Sequence, residues 1–186
     1  MEPVRFGLVG VGGFARVHLK AISGLEEKGA ARLTSAVIRN RAKYPQQVAE
    51  LEQSGVRLYE SLEAMLAAGG FDIVALPTGI QYHVPQTLAS LAAGYHVVCE
   101  KPVAARIQDA DQLLSATRAS NKHVLIGYQA IFTHAIQTIK ARILEGRVGR
   151  VRSICVKGGW PRNDAYYARN AWAGKLRVAG DWILDS

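Results

Sequence analysis

Strand-forming segments alternate with segments of helical periodicity over residues 1–127, and this alternation limits the fold more than any other feature. Runs rich in apolar and β-branched residues lie at 4–9, 33–38, 72–76, 96–99 and 123–127, with a weaker run at 56–59. Between them, apolar residues recur every three or four positions. Ser61 is a predicted helix N-cap, and Pro85 is predicted in a first helical turn. This order is typical of an α/β fold in which a doubly wound parallel sheet carries helices on both faces.

The alternation stops after residue 127. Ile136, Ile139, Ile143 and Leu144 predict one more amphipathic helix, and residues 151–160 are predicted to form a strand. Residues 128–186 are too few and too polar to build a core of their own. We therefore predict a complete first domain at 1–127 and part of a second domain at 128–186, whose remainder lies outside this sequence.

Basic residues are concentrated in the second part of the chain. Residues 1–125 carry 13 basic and 11 acidic side chains, whereas residues 126–186 carry 10 basic and 4 acidic ones. Such a basic excess attracts anions, including nucleic acids. However, no basic stripe with interleaved aromatic residues and no helix-turn-helix pattern accompanies it. We expect no nucleic-acid partner, and expect the basic segment to face acidic surface outside this sequence.

The cysteines, the apolar runs and the N-terminus limit the compartment and the metal chemistry. Cys99 and Cys155 are the two cysteines, and their spacing fits neither a disulfide framework nor a zinc site. No apolar run reaches the roughly 18 residues of a membrane span, and no secretory signal begins the sequence. We expect a cytoplasmic protein with no metal site and no membrane contact.

A glycine-rich turn follows the first predicted strand. The sequence Gly10-Val11-Gly12-Gly13-Phe14-Ala15 matches the pattern G-x-G-x-x-G/A between a strand and a helix. Gly10 permits a tight turn, Gly12 lets a pyrophosphate approach the backbone, and Ala15 leaves room for the helix to pack on its strand. The helix N-terminus then offers N–H groups to phosphates. The pattern predicts a Rossmann dinucleotide site; the alternative is a tight turn without a ligand.

The end of the second predicted strand indicates which dinucleotide is bound. An Asp or Glu there would bind the ribose of NAD, but this chain has Ile38, followed by Arg39, Asn40 and Arg41. Two guanidinium groups could instead bind a 2′-phosphate. The cofactor is therefore predicted as NADP or NAD, with NADP favoured; the alternative is that both arginines are solvated loop residues.

A lysine follows the fifth predicted strand, in Glu100-Lys101-Pro102. This is the sheet edge at which doubly wound folds bind ligands. Beside a nicotinamide ring that becomes positive on oxidation, the lysine would favour its neutral form and suit proton transfer. The alternative is a surface Glu–Lys ion pair. His18 is predicted to be a surface residue of the first helix.

These motifs together resemble a known family. The glycine turn, Pro77-Thr78-Gly79 with His83, Glu100-Lys101-Pro102 and Gly127-Tyr128-Gln129 look like the Gfo/Idh/MocA family of NAD(P)-dependent oxidoreductases, which includes glucose-fructose oxidoreductase and inositol dehydrogenase. The resemblance covers the whole chain. It implies a Rossmann domain followed by an α+β domain with an open, mainly antiparallel sheet.

The resemblance also implies roles for individual residues. Lys101 would be the catalytic lysine, and Asp185 would orient the substrate hydroxyl as the first residue of an Asp-x-x-x-His motif. Ala179-Gly180-Asp181 departs from the glycine triplet usual there. The residues implied to bind the cofactor are Gly10, Gly12, Gly13, Phe14, Ala15, Pro77, Thr78, His83, Glu100, Lys101 and Gln129.

The implied activity is hydride transfer between NAD(P) and a secondary alcohol or carbonyl of a sugar, polyol or related small molecule. The implied assembly is a homo-oligomer held through the second domain. The alternative is a regulator or partner subunit that binds the cofactor without turnover. A polar aromatic segment could stack on a sugar ring or serve as loop packing; it comprises Trp160, Tyr166, Tyr167, Arg169, Asn170 and Trp172.

Overall fold

A parallel sheet forms the centre of the computed structural model, which describes residues 2–169, 172–178 and 180–183. The sheet has six strands in the order β3-β2-β1-β4-β5-β6, and every pairing within it is parallel. The strands are β1 (Val4–Val9), β2 (Ala31–Val37), β3 (Arg57–Tyr59), β4 (Ile73–Leu76), β5 (His96–Cys99) and β6 (Val124–Ile126). The predicted doubly wound sheet is confirmed, with each strand within two residues of its predicted bounds.

Five helices connect these strands: α1 (Ala15–Glu26), α2 (Pro45–Gln53), α3 (Leu62–Ala68), α4 (Ile80–Ala92) and α5 (Ile107–Ser120). The predicted cap is confirmed, since the Ser61 hydroxyl oxygen accepts a hydrogen bond of 3.1 Å from the Ala64 N–H. The prediction for Pro85 is wrong. Helix α4 begins directly after Gly79, so the proline lies inside the helix and cannot donate the helical hydrogen bond to Gln81.

Apolar side chains cover both faces of the sheet. Leu8 packs with Ile22 of α1 on one face, whereas its neighbour Val9 packs with Met65 of α3 on the other. This follows from the alternation of side chains along a strand. A Cβ on Gly7 would meet the Met65 methyl carbon at 3.0 Å, so α3 lies close against β1. The sheet is therefore buried on both faces, as its apolar strands predict.

The chain after β6 is mostly exposed. A short 3-10 turn (Gln129–Phe132) leads to α6 (His134–Leu144), which confirms the helix predicted there. Helix α7 (Asp164–Ala168) and an antiparallel pair, β7 (Arg177–Val178) and β8 (Asp181–Trp182), follow. The strand predicted at 151–160 is absent: these residues are all exposed, and no strand of the described residues pairs with them. The second domain stays a prediction.

Within the described residues, every helix is too short or too polar to traverse a bilayer.

Shortening a core side chain of the sheet tests this packing. Leu76 is fully buried in β4, so Leu76→Ala should lower the free energy of unfolding by about 2–5 kcal/mol. Leu114 on α5 is 47% exposed, and Leu114→Ala should change it by less than about 0.5 kcal/mol. Urea denaturation followed by circular dichroism measures both. Equal losses in the two variants would contradict the assigned core.

Candidate active site

Three loops meet at the carboxyl ends of β1, β4 and β5, which are neighbours in the sheet. The strand order reverses between β1 and β4, and such a switch point leaves a crevice between the loops. A cavity of about 680 Å³ opens here. Its walls come from the glycine turn after β1, from Pro77, Thr78 and Gly79 after β4, and from Glu100, Lys101 and Pro102 after β5.

The glycine turn has the backbone shape that a pyrophosphate site needs. Gly10 and Gly13 have φ of +93° and +55°, in the left-handed region that favours glycine. A Cβ on Gly12 would collide with the Tyr44 hydroxyl, so a larger residue here would have to displace the Tyr44 side chain. Helix α1 starts after Phe14 with no side-chain cap, and the N–H groups of residues 15–17 donate to the carbonyl oxygens three positions earlier. The positive end of the helix dipole lies at this turn. These residues fit the phosphates of a dinucleotide.

Glu100 is buried at the end of β5 and holds three parts of the site together. One carboxylate oxygen, Oε1, lies 2.8 Å from Nε2 of His18 on α1. The other, Oε2, accepts a hydrogen bond of 3.3 Å from the Lys101 N–H. A Cβ on Gly127 would lie 2.8 Å from both oxygens, so the chain after β6 passes directly over the carboxylate. Glu100 therefore connects three segments around the cavity and also forms part of its wall.

His18 is a site residue that sequence reasoning missed. The prediction of a surface position is wrong, because its side chain is 14% exposed and contacts Glu100. The signal was its position one helical turn after Phe14, which places both residues on one face of α1. Their rings meet edge to face, with centroids 5.9 Å apart.

His83 is buried behind the cavity wall and joins two of its loops. Its Nδ1 lies 2.7 Å from the carbonyl oxygen of Pro102, and its Nε2 lies 3.1 Å from that of Thr78. The side chain is 1% exposed and does not line the cavity. Direct contact between His83 and a cofactor stays a prediction, whereas its contacts show that it fixes the loops after β4 and β5.

Lys101 lines the cavity and is exposed. Gln129 begins the 3-10 turn after β6 and does not line it. Asp185 lies outside the described residues, so its predicted role is untested. The expected absence of a metal site is also untested, although no three His, Cys, Asp or Glu side chains of the described residues form a group that could hold a metal ion.

The three residues after Ile38 have different surroundings. The Arg39 guanidinium carbon lies 5.9 Å from the centroid of the Tyr82 ring. The Asn40 side chain accepts a hydrogen bond from the Lys43 N–H, and Arg41 bonds to Glu52 at 3.4 Å and to the Leu58 carbonyl at 3.1 Å. Arg41 is thus held by protein groups, which leaves Arg39 as the better placed arginine for a cofactor phosphate.

Part of the polar aromatic segment forms the remaining wall of the cavity. Arg162, Tyr166, Arg169 and Trp172 all line it. Trp160 and Tyr167 are exposed elsewhere, and Asn170 lies outside the described residues. The structure therefore brings a second, basic and aromatic surface against the loops of the sheet. Sequence reasoning singled out three of these four residues and missed Arg162.

Comparison with known proteins places the chain in a family. Residues 4–128 match the model of an oxidoreductase family with an NAD-binding Rossmann fold, named GFO_IDH_MocA. The chain belongs to this family. The match covers more than half of the chain and includes the glycine turn, the Thr78 loop and Glu100-Lys101-Pro102.

Curated members of the family are similar over most of the chain. It is 28% identical over 152 residues to the rhizopine catabolism protein MocA of Rhizobium meliloti, which covers 81% of the chain and 45% of that protein. It is 30% identical over 156 residues to inositol 2-dehydrogenase of the same organism, covering 82% and 44%. The chain therefore spans about half the length of the curated relatives it matches.

A solved structure of the family has the same fold. The WlbA dehydrogenase of Bordetella pertussis is 31% identical and superimposes with a TM-score of 0.83, covering 98% of this chain and 52% of that one. That enzyme was solved in complex with NADH and UDP-GlcNAcA.

The thiol of Cys99 also lies beside the site. Cys99 immediately precedes Glu100, but burial raises the pKa of its thiol to about 12. At neutral pH the thiol stays protonated, and a protonated thiol is a poor nucleophile. We therefore assign Cys99 to the core and not to the chemistry.

Thiol labelling tests this assignment. A disulfide reagent such as DTNB should modify one thiol quickly in the native protein, since Cys155 is exposed and Cys99 is buried. Raising the pH from 7 to 9 should speed that reaction and leave Cys99 unmodified, because its pKa remains above this range. The Cys155→Ser variant should react after denaturation alone. Fast labelling of the native Cys155→Ser protein would contradict the assignment.

Proposed function

We propose that this chain provides the cofactor-binding part of an oxidoreductase that transfers a hydride between NAD(P) and a secondary alcohol or carbonyl of a sugar or polyol. The observation that carries the proposal is that one cavity is lined both by the glycine turn and by Lys101. The family membership supports it, as do the names of relatives such as inositol 2-dehydrogenase.

The residues around the cavity fit a dinucleotide. The positive φ of Gly10 and Gly13 shapes a turn whose residues Gly12 and Gly13 line the cavity at the N-terminus of α1, where the helix dipole favours a pyrophosphate. Thr78 and Glu100 line the same cavity further along the sheet edge. When bound, the cofactor supplies a nicotinamide C4 that accepts or donates the hydride.

Lys101 is the proposed acid and base. During oxidation of an alcohol, the hydroxyl proton passes to the amine of Lys101 while the hydride leaves the carbinol carbon, and reduction of a carbonyl reverses both transfers. Glu100 positions the lysine because its carboxylate accepts a hydrogen bond from the backbone N–H of Lys101, and His18 holds Glu100 in place. We propose, from the family resemblance, that Asp185 orients the substrate hydroxyl.

Removing the amine tests the role of Lys101. Lys101→Ala should lower turnover by a factor of about 10² or more, as expected for loss of a general acid and base, and should retain NAD(P)H binding. Fluorescence titration with NADH and NADPH measures affinity, and nicotinamide absorbance with a panel of inositols and sugars measures turnover. Lys28→Ala, an exposed lysine at the far end of α1, is the matched control. Unchanged turnover in Lys101→Ala would reject the role.

We propose that NADP is preferred over NAD and that Arg39 contacts its 2′-phosphate. Ile38 is buried and has no carboxylate, which would bind the ribose 2′-hydroxyl of NAD or repel the 2′-phosphate of NADP. Arg41 is held by Glu52. An exposed Arg39 remains beside the end of β2.

Binding of the two reduced cofactors tests this preference. Arg39→Gln should weaken NADPH binding about tenfold, the loss expected for one charge-assisted hydrogen bond, and should leave NADH binding unchanged. Arg32→Gln removes an exposed arginine at the opposite end of β2 and should affect neither cofactor. A wild-type protein that binds NADH more tightly than NADPH would overturn the preference.

We further propose a cytoplasmic homo-oligomer whose copies meet through the second domain. The apolar residues Ile136, Ile139 and Leu144 on α6 are exposed in this chain, which suits a helix that packs against further protein.

A further inference from the structure

The charges on the cavity wall are mostly positive. Lys101, Arg162 and Arg169 line it, and Glu100 is the one acidic side chain among its described lining residues. Glu100 is buried and already contacts His18 at 2.8 Å. The described wall of the cavity therefore carries more cationic than acidic groups.

Two of these cations are held in place by the same aromatic ring. The guanidinium carbons of Arg162 and Arg169 lie 4.0 and 3.6 Å from the centroid of the Tyr166 ring. Arg169 also donates a hydrogen bond of 3.0 Å to the Tyr166 carbonyl oxygen and lies 5.2 Å from the centroid of the Trp172 ring. Stacking on aromatic rings orders an arginine side chain while its N–H groups remain available at the edge of the guanidinium.

The local structure brings these groups together. Asn163 caps α7, since its side chain accepts a hydrogen bond of 3.1 Å from the Tyr166 N–H. Arg162 lies just before this short helix and Arg169 just after it, so one helical segment presents both guanidinium groups at the ring of Tyr166. Among the described residues, no carboxylate lies within salt-bridge distance of Arg162.

We infer that Arg162 and Arg169 bind an anionic group of the substrate, a carboxylate or a phosphate carried by the sugar or polyol. This inference rests on the proposed function, because it places the reacting carbinol of the same molecule at Lys101. Carboxylates and phosphates present paired oxygens that match the N–H pairs of a guanidinium. Neutral sugars carry no such charged oxygens.

The phosphates of the cofactor are the other anions that could reach this cavity. The glycine turn at the N-terminus of α1 is the proposed pyrophosphate site, and Arg39 is the arginine placed beside β2. Arg162 and Arg169 come from the segment after β6, which supplies none of these groups. The substrate is therefore the anion we assign to them.

Matched sugar ligands test the inference. Calorimetry with the intact protein loaded with NADPH or NADH compares glucuronic acid and glucose 6-phosphate with neutral glucose. At least one anionic sugar should bind about tenfold or more tightly than glucose, and added salt should shrink that difference. Arg162→Gln and Arg169→Gln, made separately, should each lower the affinity for the anionic sugar about tenfold and leave glucose and cofactor binding unchanged. Arg152→Gln, an exposed arginine that does not line the cavity, should change nothing.

Each alternative outcome is distinguishable. Equal or absent binding of the anionic sugars relative to glucose would overturn the inference. An equal loss of cofactor affinity in both arginine variants would also overturn it and would assign the arginines to the cofactor phosphates. An anionic preference that survives both substitutions would place the anion site elsewhere. Tight, arginine-dependent binding without any hydride transfer would reject the proposed function and leave this binding site standing.

Discussion

The buried carboxylate of Glu100 is the interaction on which the geometry of the site depends. A buried carboxylate is costly unless hydrogen-bond donors surround it, and here the donors belong to different elements. His18 comes from α1 and the Lys101 N–H from the loop after β5, while Gly127 brings the end of β6 against the oxygens. One side chain thus fixes α1 relative to the loop that carries Lys101. In the proposed function, this contact sets the distance between the cofactor phosphates and the reacting centre.

Local patterns were sufficient to predict the sheet and the loops of the site. The six strands were predicted from apolar runs, and the glycine turn from its spacing after the first strand. A parallel sheet brings the carboxyl ends of its strands to one edge, so the meeting of Gly12, Thr78 and Lys101 followed from topology. These residues share one property: their place at the cavity follows from their position within a strand–loop–helix unit.

Contacts between distant elements were not predictable in this way. Tyr44 lies at Gly12, and His18 contacts Glu100 across 82 positions of sequence. The helix boundary at Gly79, which places Pro85 inside α4, depends on how the loop after β4 packs. The prediction of a strand at 151–160 failed for a related reason: a strand needs a partner strand, and none in the described part of the chain pairs with this exposed segment.

The two sides of the cavity are held in place by different kinds of contact. A neutral imidazole donates one hydrogen bond, yet both nitrogens of His83 lie within 3.1 Å of carbonyl oxygens from the loops after β4 and β5. Whichever nitrogen donates, the buried ring fills the space between the two loops and holds them at a fixed separation. The opposite wall is different, because Arg162 and Arg169 lie on an exposed segment and stack on a ring of that same segment. The loops of the lysine side are therefore tied to each other through a buried ring, whereas the arginine side is held by contacts within its own exposed segment.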